Sequence, residues 1–162
     1  MPNLGSMGEA VGGLLKSREE TIAIAESSAG GLISSALLSV PGASAYFLGG
    51  GVLYTYESRH KLLALPEDAF EGLRPSTEEY ALRMARAVRD HLGATWGVGE
   101  TGAAGPTGNR YGDAAGHACI AVAGPADEAI TLETGSADRE ANMWAFTNAA
   151  LELLESTIKK NG

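Results

Sequence analysis

The chain has 162 residues, 44% of them hydrophobic, with 12 Lys plus Arg against 20 Asp plus Glu and a formal net charge of −8. That length suits one compact domain over residues 1–162, and so few cations exclude a broad nucleic-acid footprint, although a handful of them can still hold one phosphate. The single Cys119 rules out an intramolecular disulfide and a thiolate zinc site, and no apolar run approaches membrane-spanning length, so the expectation is a cytoplasmic protein with no metal and no membrane partner.

From Ser6 to Arg18, Val11, Leu14 and Leu15 fall at i, i+3 and i+4, which predicts a first helix weakened by Gly8, Gly12 and Gly13. Thr21 to Ala25 is short and apolar, the pattern of a buried central strand. It feeds Ala25-Glu26-Ser27-Ser28-Ala29-Gly30-Gly31, and an apolar run from Leu32 follows. The spacing predicts strand, tight turn and a helix over Gly31 to Ser39 that Pro41-Gly42 stops. Gly30 and Gly31 can take positive φ, and the N–H groups of the helix start can serve an anion or an oxyanion. Ser27 and Ser28 thus stand where a hydroxyl can act as nucleophile or hold a phosphate; the simpler reading is a serine N-cap beside a glycine turn.

Gly51 to Tyr56 predicts a strand of high β-propensity, and Glu57 to Leu63 a short helix with Arg59 and Lys61 at its start, where either can face the cleft of Ser27. Ser76-Thr77-Glu78-Glu79 has the form of a capping box, and Tyr80, Met84, Val88 and Leu92 step by four along a helix that Gly93 ends. Glu79 with Arg83, and Arg86 with Asp90, have the spacing of ion pairs on its wet side. Ala94 to Val98 predicts a strand that opens into a long glycine loop, Gly99 to Gly112, whose N–H groups can line a pocket. Gly97 to Gly102 satisfies G-x-G-x-x-G, but no helix follows, so a dinucleotide site is set aside. Gly116 to Ala123 and Ala129 to Thr134 predict a hairpin around Gly124-Pro125. Asp138 is placed to cap a last helix to Lys159, with Trp144, Leu151, Leu154 and Ile158 on one stripe. Strands alternating with helices, with one hairpin, mean an α/β fold with a mixed sheet.

His60, His91 and His117 have no metal-ligand spacing and read as structural or surface residues. There is no G-x-S-x-G elbow, which disfavours a standard α/β-hydrolase. A nucleophilic Ser27 therefore requires a lysine or tyrosine as base. Tyr54, Arg59 and Lys61 are the nearby residues by chain order.

Several stretches in order resemble one family. Ala25 to Gly31 is similar to A-E-S-C-T-G-G, Val40 to Phe47 to V-P-G-S-S-A-x-F, and Gly50 to Pro66 to G-x-V-x-Y-S-N-E-A-K-x-x-L-L-G-V-P. Thr101 to Pro106 matches T-G-I-A-G-P, Ala115 to Ala121 matches V-G-T-V-x-I-A, and Ala137 to Glu140 falls on G-D-R-E. These are motifs of the C-terminal domain of the competence-damage-inducible CinA proteins, which also occurs alone as the nicotinamide mononucleotide deamidase PncC. The resemblance implies one three-layer α/β/α domain, usually a homo-oligomer, that cleaves the nicotinamide carboxamide to the acid and ammonia without cofactor or metal. Carried over by position, Ser27 is the nucleophile and Tyr54 belongs to the catalytic group, while Ser28, Gly30, Gly31, Thr101, Gly102, Gly105 and Arg139 contact the substrate.

The chain departs from the family pattern at defined places. The base lysine falls on Arg59, Cys-Thr becomes Ser28-Ala29, the Asn after Tyr-Ser becomes Tyr56, Lys-Pro becomes Asp113-Ala114, and a second arginine falls on Met143. If Arg59 points at Ser27, Lys61 points away, since two helical residues turn a side chain by about 200°. Ser27, Ser28, Gly30, Tyr54, Arg59, Thr101 and Gly102 are expected to converge on one cleft at the carboxyl ends of the strands. The aromatic and glycine-rich run from 40 to 56, poor in charge, is expected to meet another subunit.

Overall fold

The computed structural model describes residues 3–161. Ile22–Glu26 (β1) is buried at every position, as its apolar composition requires. It pairs in parallel with Phe47–Val52 (β2) on one side and Trp96–Ala103 (β3) on the other. His117–Ala123 (β4) and Glu128–Glu133 (β5) extend the sheet antiparallel, giving the order β2-β1-β3-β4-β5. Leu4–Arg18 (α1), Leu32–Leu38 (α2) and Arg139–Lys160 (α5) cover one face around Leu15, Ile24, Ile33, Trp96 and Phe146. Glu78–Leu92 (α4) covers the other, and Tyr56–Leu62 (α3) lies between β2 and α4 in sequence. The result is a three-layer α/β/α architecture with a mixed sheet. Among the described residues no helix is long and apolar enough to cross a membrane.

The expected strand Gly51 to Tyr56 lies instead at Phe47–Val52. Gly49, Gly50 and Gly51 are in the ladder opposite Ala23, Ile24 and Ala25, and a Cβ on Gly50 would lie 2.8 Å from the Ile24 carbonyl oxygen. Close approach to β1 outweighs the strand propensity of Tyr54 and Tyr56. The chain leaves the sheet after Leu53, whose N–H donates to the Glu26 carbonyl, and Thr55 then caps α3 in a reciprocal box with Ser58. As the outer strand, β2 leaves Leu48 and Val52 about half exposed.

The glycine loop expected after Val98 begins five residues later than the sequence suggests, because β3 continues to Ala103. A Cβ on Gly97 or Gly99 would lie 2.1 Å from the carbonyl oxygen of Ala85 or Ala81, so these glycines let α4 rest directly on the strand.

Thr77, not a reciprocal box, caps α4, its hydroxyl accepting from the Tyr80 N–H. The expected pairs on α4 do not form: Arg83 bonds the Ala69 carbonyl, Arg86 bonds Asp127, and Asp90 bonds Arg89. Tyr80, Met84 and Val88 are buried, whereas Leu92 is exposed. Gly93 ends α4 at φ 68° and Asp138 caps α5.

Candidate functional site

The turn after β1 is organised by two buried carboxylates. Glu26 accepts from the N–H groups of Gly31, Ile33 and Ser34 and from the Ser34 hydroxyl. Glu100, on β3, accepts from the N–H groups of Ser27 and Ala29 at 2.8 Å and is hydrogen-bonded to Ser28 Oγ. The helix-start amides expected to serve a ligand anion are therefore satisfied within the protein. Gly30 and Gly31 take φ 69° and 97°, which lets the turn close over these carboxylates. Burial, reinforced by the charge of Glu26, holds the Glu100 carboxyl above its ordinary range despite the hydrogen bonds that oppose the shift.

With its N–H held by Glu100, Ser27 faces a cavity of about 730 Å³. Tyr54, Arg59, Thr101 and Gly102 line the same cavity, together with Ser76, Tyr80 and the loop residues Asn109, Arg110 and Tyr111. Strand ends and the start of α3 bring these groups together from positions as far apart as 27 and 111. Ser28, Gly30, Gly31, Gly105 and Arg139 do not line it. Ser28 is turned to Glu100. Gly30 is exposed and lies against Met143, at a distance of 2.5 Å from a Cβ placed there to Met143 Cε. Arg139 spans from the Gly105 carbonyl to the Tyr54 hydroxyl, which it reaches at 3.3 Å.

Arg59 is only 6% exposed. Its Nε donates to the Leu53 carbonyl at 3.0 Å, its Nη1 to the Tyr80 hydroxyl at 3.1 Å, and its Nη2 to Ser27 Oγ at 3.1 Å and to the Tyr54 carbonyl at 3.2 Å. Its carbon also sits 5.3 Å from the centre of the Tyr80 ring. Burial raises the Tyr80 phenol above its ordinary pKa even though the Arg59 charge acts the other way, so Tyr80 stays protonated at neutral pH. Lys61 is not brought to Ser27: it is exposed on the opposite side of α3, with Nζ 2.6 Å from Glu57 Oε1. The Tyr54 ring is also largely exposed, and its hydroxyl is engaged by Arg139.

One wall of the cavity is Ser76, a buried non-glycine residue at φ 62°. Its N–H donates to Thr101 Oγ1 at 3.2 Å, and its carbonyl accepts from His117 Nε2 at 2.8 Å and from Cys119 Sγ at 3.4 Å. His117 Nδ1 is hydrogen-bonded to Glu133. Since both ring nitrogens meet pure acceptors, both carry protons, and the imidazolium form fits the site. Burial works against that charge, but the bonds to Glu133 and Ser76 and the nearby Asp113 outweigh it and raise the His117 pKa.

The sequence gives no cue to Tyr80 or Ser76 as parts of this site, since their partners Arg59 and Thr101 lie more than twenty residues away. A carboxylate among glycines and alanines on a buried strand is the one local signal for Glu100.

The CinA C-terminal domain model matches residues 5–158. A CinA-like protein of Desulforapulum autotrophicum is 38% identical over 159 residues, covering 97% of this chain and 37% of that protein. A CinA-like protein of Desulfosudis oleivorans is 42% identical over 150 residues, covering 91% of this chain and 36% of its own length. The chain thus spans little more than a third of these relatives. Among solved structures, a CinA superfamily protein of Klebsiella pneumoniae superposes with a TM-score of 0.89 at 22% identity, covering 98% of this chain and 99% of that one. One from Escherichia coli gives 0.86 at 23% identity, covering 95% and 90%. The structural neighbours carry the same fold, and the family model, which spans both the Ser27 turn and the Thr101 strand end, establishes that the chain belongs to the CinA C-terminal domain family.

Proposed function

We propose that this chain binds a pyridine mononucleotide or a related small ligand in the Ser27–Arg59 cavity and does not hydrolyse its carboxamide. The observation that carries this reading is the hydrogen bond from Arg59 Nη2 to Ser27 Oγ. A general base at that position must accept the serine proton, and a guanidinium keeps its charge in proteins and only donates. Among the described residues no other group replaces it: Lys61 is turned to Glu57, the Tyr54 hydroxyl meets Arg139, and Tyr80 is a protonated phenol that accepts from Arg59.

Binding is supported by the dimensions and lining of the cavity. About 730 Å³ suits a nucleotide-sized molecule. Tyr54, Tyr56 and Tyr111 offer planar faces at its wall, and Arg110 offers a cation for a phosphate. The family expectation of a homo-oligomer belongs to the same reading, and a second subunit would cover Leu48 and Val52 on the outer strand.

The test sets ammonia release from nicotinamide mononucleotide beside calorimetric binding of the same compound. Saturable binding without ammonia supports the proposal. Ammonia release that disappears in Ser27→Ala supports the deamidase reading instead.

A further inference from the structure

In a chain of net charge −8, the described residues that line the Ser27 cavity include two arginines and no Asp or Glu. Arg59 is more than nine-tenths buried and forms no ion pair among the described residues, although eight other basic side chains do. A buried guanidinium held only by neutral acceptors lacks the counter-charge that buried cations ordinarily have.

The hydrogens around this cation can be followed one by one. Of the five N–H groups of a guanidinium, four are used by Leu53, Tyr80, Ser27 and Tyr54, which leaves one on Nη1. Ser27 and Tyr80 accept from Arg59, and Thr101 accepts from Ser76. None of these three hydroxyls donates to another group among the described residues, so each still has its own proton to give. The acceptors nearby are occupied: the Ser76 carbonyl by His117 and Cys119, and the Asn109 side-chain oxygen by the N–H groups of Tyr111 and Asp113. The end of the cavity at Ser27 is therefore rich in donors, positively charged and poor in acceptors.

We infer that this end of the cavity selects a carboxylate over the isosteric carboxamide, so that its ligand is an aromatic carboxylic acid, the acid form of a pyridine mononucleotide rather than the amide. The inference rests on the reading of the cavity as a pyridine mononucleotide site. A carboxylate offers only acceptor lone pairs to Arg59, Ser27, Tyr80 and Thr101 and supplies the missing charge. A carboxamide turns its NH2 hydrogens toward hydrogens of the protein and leaves the guanidinium uncompensated.

Direct binding to the purified full chain tests this with two matched pairs, nicotinic acid mononucleotide against nicotinamide mononucleotide, and benzoate against benzamide. In each pair the acid is expected to bind at least about tenfold more tightly, a floor well below the discrimination that sites built for one hydrogen-bonding pattern reach. Tyr80→Phe, which deletes one donor and keeps the ring, is expected to narrow the ratio several-fold. Arg59→Met, with its melting curve recorded as a check on folding, is expected to abolish it. Equal affinities within both pairs, or tighter amides, overturn the inference while leaving mononucleotide binding intact. Preference for benzoate with no binding of either mononucleotide upholds the carboxylate selection and overturns the mononucleotide reading. Binding of none of the four overturns both. Inorganic phosphate that displaces benzoate at equal affinity shows a general anion site and also overturns selection for a carboxylate.

Discussion

Arg59 reaches Ser27 Oγ through Nη2 at 3.1 Å while its Nε caps the Leu53 carbonyl at 3.0 Å. The guanidinium is thereby tied both to the chain leaving β2 and to the serine hydroxyl that follows β1 into the cavity. The resemblance puts a base at this position, and the guanidinium found there acts as an anchor. Ser27, its N–H held by Glu100, meets a donor where transfer of its hydroxyl proton would require an acceptor.

Replacing that donor by an amine restores an acceptor. Arg59→Lys is expected to raise ammonia release from nicotinamide mononucleotide at least about tenfold above wild type, because general-base catalysis contributes on the order of a hundredfold or more and imperfect placement takes part of it. Ala29, Tyr56 and Met143 remain as departures from the family pattern and are expected to limit the gain. A coupled ammonia assay measures it, and adding Ser27→Ala should remove the gain. An Arg59→Lys protein no more active than wild type contradicts this account of the position.

Glu100 supports the Ser27 turn from beneath, and its substitutions separate charge from hydrogen bonding. Its folded-state pKa is raised above the ordinary 4.5, so the native state holds its proton more tightly than the unfolded chain. This contribution to stability is fully present below about pH 4.5 and is lost as pH rises through the folded value. Glu100→Gln keeps an acceptor for Ser27 and Ala29 and a donor for Ser28. It is expected to stay within about 1 kcal/mol of wild type and to flatten that part of the stability profile. Glu100→Leu orphans two buried N–H groups and is expected to cost about 2–5 kcal/mol. Urea unfolding across pH decides between these outcomes.

His117 should titrate above the ordinary 6.5, since both its nitrogens donate, to Ser76 and to Glu133. A raised histidine pKa gives stability that is complete below about pH 6.5 and lost as pH climbs through the folded value. An NMR titration of its ring protons should find the raised value, and melting temperatures should fall across that window in wild type but not in His117→Phe. A His117 pKa below 6.5 contradicts the doubly protonated assignment.

Gly97→Ala and Gly99→Ala test the contact between β3 and α4. Each adds a methyl 2.1 Å from a helix carbonyl oxygen, so the helix must move. A loss of about 1–3 kcal/mol or more is expected in chemical denaturation. Gly72→Ala provides a reference for exposed glycine, because a Cβ there meets nothing within 4 Å, although its φ of 77° carries its own strain.

Local signals were legible where the cause was local. Thr77 and Gly93 bound α4, Asp138 caps α5, and the adjacent glycines 30 and 31 take the left-handed φ that the turn needs. The 200° offset between Arg59 and Lys61 means that the two cannot both meet Ser27, and the structure gives that place to Arg59. Glycine misled where its cause was tertiary. At 49, 50, 97 and 99 it marks backbone held close to another element rather than a turn, and nothing within a window of neighbours distinguishes the two. The same distance hides the carboxylate on β3: Ser27 and Glu100 are 73 residues apart, and only the parallel pairing of β1 with β3 brings them together. Likewise Tyr80 reads as a helix core residue, which it is, and its hydroxyl becomes part of the site only because Arg59 arrives from α3.

The most direct measurement is the time course of ammonia release from nicotinamide mononucleotide by the wild-type protein, run beside Ser27→Ala and beside calorimetric binding of the same compound. The account predicts saturable binding by wild type, weaker than that of nicotinic acid mononucleotide, and an ammonia signal indistinguishable from Ser27→Ala at neutral pH. Wild-type turnover that survives Lys61→Met and disappears in Ser27→Ala would contradict it and leave Tyr54 as the base to test.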